Sequence, residues 1–241
     1  MFLSRSIPLL LLSFFLLLDT SFGANPLKHI CFRRDNYTSG SPFKTNLDSL
    51  LTTLVSKVPP SGFGTSSSGE GNDQVYGLAL CRGDVSSSDC ESCVSDAGPE
   101  LLQRCPEQKV AIIWYNNCLL KYSKMEFFGK IDTMNKFHWC NVHDVDMDFM
   151  EFNRKIKQLL SNLTDEAVAG PKLYAYGELG LGGNKTLFGL AQCTRDLSAY
   201  DCKTCLKGAI FDLRFCSGKR GGRTVGGSCN VRSELYPFVD V

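Results

Sequence analysis

Between residues 43 and 58 the apolar side chains recur three and four positions apart: Phe43, Leu47, Leu50, Leu51, Leu54, Val55 and Val58. That spacing draws one apolar stripe along a helix, and the helix must stop at Pro59-Pro60, whose nitrogens carry no hydrogen for a further turn. A second stripe of the same period, Phe149, Phe152, Ile156, Leu159, Leu160 and Leu163, predicts a matching helix farther along the chain. Residues 60–73 are rich in Gly and Ser and have no period, so they read as a mobile loop. Gln74 to Cys81 then has the character of a strand, and Ser88-x-x-Glu91 has the form of a capping box opening a helix that carries Cys90, Cys93, Leu101 and Leu102. Lys109 to Tyr115 and Cys118 to Tyr122 are β-branched, aromatic and aliphatic on either side of Asn116-Asn117, which predicts two antiparallel strands joined tightly. Helix, strand, helix and strands, without regular βαβ alternation, predict an α+β fold: an antiparallel sheet with two helices packed on it.

The chain states this pattern twice. Cys81-x8-Cys90-x2-Cys93-x11-Cys105-x12-Cys118 returns as Cys193-x8-Cys202-x2-Cys205-x10-Cys216-x12-Cys229, and Cys31 and Cys140 precede the two sets. All 12 cysteines are used. The lead-in Tyr76-Gly77-Leu78-Ala79-Leu80-Cys81 answers Phe188-Gly189-Leu190-Ala191-Gln192-Cys193. A period of about 110 residues is too long for a solenoid unit and suits a whole small domain. The reading is a tandem duplication: domain A over residues 24–130 and domain B over residues 135–241. The join lacks the Pro/Ser-rich character of a flexible tether, so the domains are expected to pack together.

Residues 1–23 have the form of a secretory signal peptide. Arg5 supplies the basic start, Ile7 to Leu18 the apolar run, and Ser21-Phe22-Gly23 the small residues before a cut at Ala24. No later stretch is long and apolar enough to span a bilayer, so the expectation is a secreted, extracellular chain without a membrane anchor. The sequons at Asn36, Asn162 and Asn184 are candidate glycosylation sites on that route. A net charge of +1 gives no support to a nucleic-acid or membrane-surface partner.

The cysteines admit three chemistries. Zinc needs four ligands, but each copy holds one CxxC, its other cysteines are widely spaced, and no histidine is suitably placed among His29, His138 and His143. A redox dithiol is the second reading, and structural disulfides, favoured by an even count per copy and the signal peptide, are the third. No metal or cofactor is expected. Six cysteines per copy allow many pairings, and spacing alone does not choose among them.

The C-x8-C-x2-C core, its lead-in, and the ending Gly226-Gly227-Ser228-Cys229-Asn230-Val231-Arg232-Ser233-Glu234-Leu235-Tyr236-Pro237-Phe238 resemble the ginkbilobin-homologous domain of land plants. A signal peptide followed by two such domains is similar to the plant cysteine-rich repeat secretory proteins. The resemblance implies the bridges Cys31–Cys105, Cys81–Cys90 and Cys93–Cys118 in domain A, and Cys140–Cys216, Cys193–Cys202 and Cys205–Cys229 in domain B. On the chain-entropy model, a bridge closing a loop of about 75 residues contributes roughly 3–5 kcal/mol. The resemblance also implies a mannose site: an asparagine after the first cysteine, an arginine six residues before the last, and a glutamate five after it. Domain B holds Asn141, Arg223 and Glu234 at those positions, whereas domain A holds Phe32, Ile112 and Ser123. Carboxylate, guanidinium and amide together supply the acceptors and donors that vicinal hydroxyls need.

The plainer alternative for Arg223 and Glu234 is a cross-strand ion pair of little energetic weight. Gly218-Lys219-Arg220-Gly221-Gly222 looks like an anion-binding loop but lacks the strand-to-helix setting that phosphate loops use, so a solvated turn is the better reading. Val110 to Tyr115 is unusually apolar for a strand, which fits either core burial or a contact between the domains or with a partner protein. No nucleophile, zinc-protease or paired-carboxylate pattern is present, so the sequence predicts a non-catalytic protein. The resemblance implies a lectin-like protein binding mannose or a mannan-like glycan, with an antifungal role in plant defence. The competing expectation is an extracellular protein-interaction module that recognises a receptor ectodomain or cell-wall protein.

Overall fold

The computed structural model describes residues 25–32 and 35–239; the signal peptide expected at 1–23 lies outside the described residues. Domain A runs β1 (Lys28–Cys31), α1 (Pro42–Lys57), β2 (Phe63–Ser68), β3 (Val75–Cys81), α2 (Ser87–Arg104), β4 (Val110–Trp114) and β5 (Cys118–Ser123). Domain B repeats the order as β6 (Lys136–Cys140), α3 (Phe149–Ala169), β7 (Tyr174–Gly182), β8 (Lys185–Cys193), α4 (Ala199–Asp212), β9 (Gly222–Gly226) and β10 (Cys229–Glu234). Each copy folds into one antiparallel sheet, ordered β1-β4-β5-β3-β2 and β6-β9-β10-β8-β7. The fold is therefore α+β, with two helices on one face of each five-stranded sheet.

Two sequence expectations change. Residues 60–73 are not a mobile loop: β2 pairs in register with β3 from Phe63↔Leu80 to Ser68↔Val75. An edge strand needs only backbone pairing on one side, so Gly and Ser suffice and no apolar alternation marks it. The second helix is capped by Ser86, not Ser88; its hydroxyl accepts from the Asp89 amide at 3.1 Å. Domain B repeats the device with Ser198 and the Asp201 amide. A short acid at the third helical position does here what the glutamate of a capping box does elsewhere.

Alternation along the strands divides the apolar residues between two surfaces. In domain A, Val75, Ala79, Ala111, Ile113, Leu120 and Tyr122 face α1 and α2, where Phe43, Leu47, Leu50, Leu54 and Leu101 complete a core. The opposite face carries Leu78, Leu80, Ile112, Trp114 and Leu119, and these pack against Phe137 and Val225 of domain B. The two sheets thus meet face to face with helices on the outer sides. Val110 to Trp114 is apolar throughout because both of its faces are buried, one in the domain core and one in the joint.

Trp114 sits at the centre of the joint. It is 2% exposed, its ring meets Phe137 edge-on at 5.4 Å, and its indole N–H donates to the Gly226 carbonyl at 3.0 Å. Beside it, buried Lys121 donates to the Gly227 carbonyl at 2.8 Å and lies over the Phe127 ring. Desolvation holds the Lys121 ammonium below the ordinary lysine range. Farther along, Gln192 donates to the Cys81 carbonyl, and the Tyr174 hydroxyl donates to Asp84 at 3.1 Å. The Tyr174 ring lies so close to Gly83 that a Cβ there would overlap it. The connecting segment is pinned as well: Gly129 donates to Asp196 and Asp132 accepts from Asn135. Six bridges tie the copies internally, Cys31–Cys105, Cys81–Cys90 and Cys93–Cys118 in domain A and Cys140–Cys216, Cys193–Cys202 and Cys205–Cys229 in domain B. None of them crosses the joint, which is held by packing, by these hydrogen bonds and by contacts such as the Lys121–Asp132 ion pair at 3.9 Å and Arg195 over the Phe63 ring.

Trp114→Ala should therefore cost about 3–5 kcal/mol, the range for truncating a buried large aromatic. Urea denaturation of the oxidised protein measures it, and a loss below about 1 kcal/mol would contradict the central place given to this side chain. The acid limb of stability supplies a second check. Burial by itself raises the Asp84 carboxyl, but the hydrogen bonds and charge of Arg82 bring it below its ordinary value of 3.8. A lowered carboxyl contributes stability that is complete above that ordinary value and is lost as pH falls through the lower, folded value. Asp84→Asn should flatten the acid limb of a pH–stability curve followed by circular dichroism while leaving the neutral and alkaline limbs parallel to wild type.

Candidate functional site

The pleat puts Arg223, Arg232 and Glu234 on the side of sheet β6–β10 that faces away from α3 and α4. In the register of the sheet, Trp139 pairs with Arg223 and Arg223 with Arg232. Glu234 is two residues beyond Arg232 on β10, so Arg223 and Glu234 are diagonal neighbours rather than a direct cross-strand pair. Asn141 follows β6, where its backbone amide donates to the Gly221 carbonyl at 2.9 Å. The Cys140–Cys216 bridge anchors that corner. Gly221 leaves room for the carboxylate: a Cβ there would overlap Glu234.

A polar row results. The Asn141 side-chain amide donates to Glu234 Oε2 at 3.2 Å, and Arg232 Nε approaches Glu234 Oε1 at 3.4 Å. The ion pair therefore forms along β10, with Arg232, and not across the hairpin with Arg223. Arg232 also lies over the Phe238 ring and donates to the Tyr236 hydroxyl at 3.0 Å. Arg223 stacks over the Trp139 indole at 5.2 Å and turns one nitrogen to the Asn116 side chain of domain A at 3.4 Å. Burial, then the like charge of Arg232, pushes the Arg223 guanidinium down to about 10, so it keeps its proton at neutral pH. Trp139 is half exposed and presents a flat apolar surface at the end of the row.

The corresponding face of domain A has other chemistry. Ile112 is buried in the joint, and Lys121, not an arginine, stands opposite it. Phe32 and Ser123 occupy the two remaining positions, and no carboxylate is among them. Trp139 and Arg232 were not singled out from the sequence. Their signal is positional: each is paired across the sheet with Arg223, which only the strand register reveals.

The turn at residues 218–221 is occupied by its own neighbours. Lys219 pairs with Asp144 at 2.6 Å and Arg220 donates to the Asp144 carbonyl at 3.1 Å. The sequon residues Asn36, Asn162 and Asn184 are all exposed. Among the described residues there is no cluster of three His, Cys, Asp or Glu side chains that could hold a metal ion, and no helix long and apolar enough to cross a membrane.

Comparison with known proteins follows the same two-part division. A family profile described as salt stress response/antifungal matches residues 30–125 and again residues 139–236. The chain is 58% identical over 231 residues to an antimicrobial ginkbilobin-2-like protein of Castanea crenata, covering 94% of this chain and 95% of the relative. It is 54% identical over 207 residues to cysteine-rich repeat secretory protein 38 of Arabidopsis thaliana, covering 85% of this chain and 81% of the relative. Among solved structures, the tandem DUF26 ectodomain of the Arabidopsis thaliana cysteine-rich receptor-like protein PDLP8 superposes with a TM-score of 0.76 at 26% identity, over 88% of this chain and 98% of the other. Duplicated profile, cysteine framework and tandem fold agree: the chain belongs to the salt stress response/antifungal (DUF26) family and is an extracellular cysteine-rich repeat secretory protein with two such domains.

Proposed function

We propose that this protein is a non-catalytic, lectin-like carbohydrate-binding protein that takes a mannose-type residue of a glycan on domain B and acts in defence against fungi. The observation that carries the reading is the row Asn141–Glu234–Arg232–Arg223–Trp139, which has no counterpart on domain A. An ionised carboxylate has about four acceptor positions, and the two contacts to Glu234 leave acceptor capacity for a pair of vicinal hydroxyls. The guanidinium of Arg223 contributes fixed donors, the Asn141 amide contributes a group of each kind, and the indole of Trp139 offers a surface for the apolar face of a sugar ring. Charge-assisted bonds of this type offset the cost of stripping water from a polar ligand. The antimicrobial name of the Castanea crenata relative and the antifungal description of the family support the defensive role. The exposed asparagines Asn36, Asn162 and Asn184 are proposed as glycan acceptors.

A second reading, an extracellular protein-interaction module for a receptor ectodomain or cell-wall protein, is favoured by one finding. The solved structures that the chain resembles are ectodomains of receptor-like proteins, built on the same pair of domains.

Calorimetric titration of the mature protein with mannose and with mannan tests the first reading. Saturable heat is expected, lost in Glu234→Gln and in Arg223→Gln and unchanged in Ser123→Ala on domain A. Absence of any heat at tens of millimolar sugar, a range where even a 1 mM site worth about 4 kcal/mol saturates, would sink it. A partner protein captured from extracellular fluid and retained under saturating mannose would favour the second.

A further inference from the structure

The two cores are not filled alike. In domain A, Tyr122 stands four residues after Cys118 on β5, pairs with Ala111 across the sheet, and points among the helices. It is 1% exposed and its hydroxyl donates to the Gln108 carbonyl at 3.0 Å. Four residues after Cys229, in the same register, domain B has Ser233, paired with Gly222. Tyr37, which follows the Asn36–Gln108 bridge and stacks on Phe43, is replaced by Val145, which follows the equivalent Asp144–Lys219 bridge. Two tyrosine rings and a methyl group are thus missing from one end of the domain B core.

The space is not closed over. Between α3, α4 and strands β9 and β10 lies a cleft of about 530 Å³, within the size range of small-molecule sites. Ile156, Ile210 and Leu213 form its apolar walls, Phe211 stands at the edge and is 60% exposed, and Ser233 lines the floor. The Ser233 hydroxyl is buried without a hydrogen-bond partner. Such a group carries a desolvation cost that an incoming donor or acceptor removes. Lys157, Lys207 and Arg214 ring the opening, and no acidic side chain lines it. The neighbouring cations Lys155 and Lys203 pair with Glu151 and Asp165, whereas none of the three at the opening is in an ion pair among the described residues.

We infer that this cleft is a second ligand site, on the helix side of the sheet, for a small hydroxylated aromatic acid. The ring takes the volume that tyrosine fills in domain A. A ring hydroxyl reaches Ser233, and the carboxylate meets Lys157, Lys207 and Arg214 at the opening. The sheet separates this site from Glu234 and Arg223, whose side chains project from its other face, so it stands independently of the sugar reading.

Titration of the full mature chain with 4-hydroxycinnamate, followed by calorimetry and by the ligand-induced rise in melting temperature, tests the inference. One equivalent should bind, and saturating mannose should not compete. Ser233→Tyr, which restores the residue of domain A, should abolish binding. Lys207→Glu, on the exposed rim where folding is not at risk, should weaken it by about tenfold or more, the loss of one charge-assisted contact. The neutral 4-hydroxycinnamyl alcohol should bind more weakly by a similar factor. No binding to the wild-type protein, undiminished binding to Lys207→Glu, or an aliphatic acid such as octanoate binding as tightly as the aromatic acid would each overturn the assignment. Failure of the mannose titration would leave this result unaffected.

Discussion

The packing of Trp114 and its apolar neighbours against Phe137 and Val225 is the constraint from which the rest of the molecule follows. No disulfide crosses between the copies, so this layer, with the carbonyls of Gly226 and Gly227 that Trp114 and Lys121 engage, carries the mutual orientation of the domains. Burying a tryptophan with its N–H satisfied combines a large apolar area with a directional bond, which fixes register as well as strength. Polar contacts at the other end, from Tyr174 to Asp84 and from Gln192 to the Cys81 carbonyl, join the same two domains.

This joint also explains why the copies have diverged in opposite senses. Domain A has committed its outer sheet face to the partner domain, so Ile112 replaces the charged residue found at Arg223. Domain B meets it with Phe137 of β6, Val225 of β9, the carbonyls of Gly226 and Gly227 and, farther along, Tyr174 of β7 and Gln192 of β8, while Arg223, Arg232 and Glu234 lie at the other end of the same face. The helix side of domain B has changed too, where Ser233 stands in the place of Tyr122. A duplicated fold can lose ligand chemistry in the copy whose face becomes structural and keep or gain it in the other. The disulfides make that tolerable, since each copy retains its own three cross-links whatever happens at its surfaces.

Much of this could be read from the chain, and the parts that could not share a physical cause. The stripes at Phe43 and Phe152 marked α1 and α3 because helical burial leaves a period that sequence preserves. The edge strand Phe63–Ser68 escaped because a strand of Gly and Ser paired on one side leaves no such trace. The edge strands that end at Cys31 and Cys140 escaped because four or five residues are too few to establish an alternation. Resemblance named Asn141, Arg223 and Glu234 as candidates, but it did not give their geometry: the ion-pair partner of Glu234 is Arg232, and only strand register brings Trp139 beside Arg223. The cleft over Ser233 was invisible because a single serine in a strand means nothing until its counterpart, Tyr122, is seen filling the same place.

Native-state amide hydrogen exchange addresses the central claim most directly. If the joint makes the two copies one cooperative unit, the slowest amides of β4 and β5 and those of β9 and β10 should exchange with the same opening free energy, equal to that of global unfolding. Two separate values, with the β9 and β10 amides opening while β4 and β5 stay protected, would show two domains that fold independently and would contradict the account.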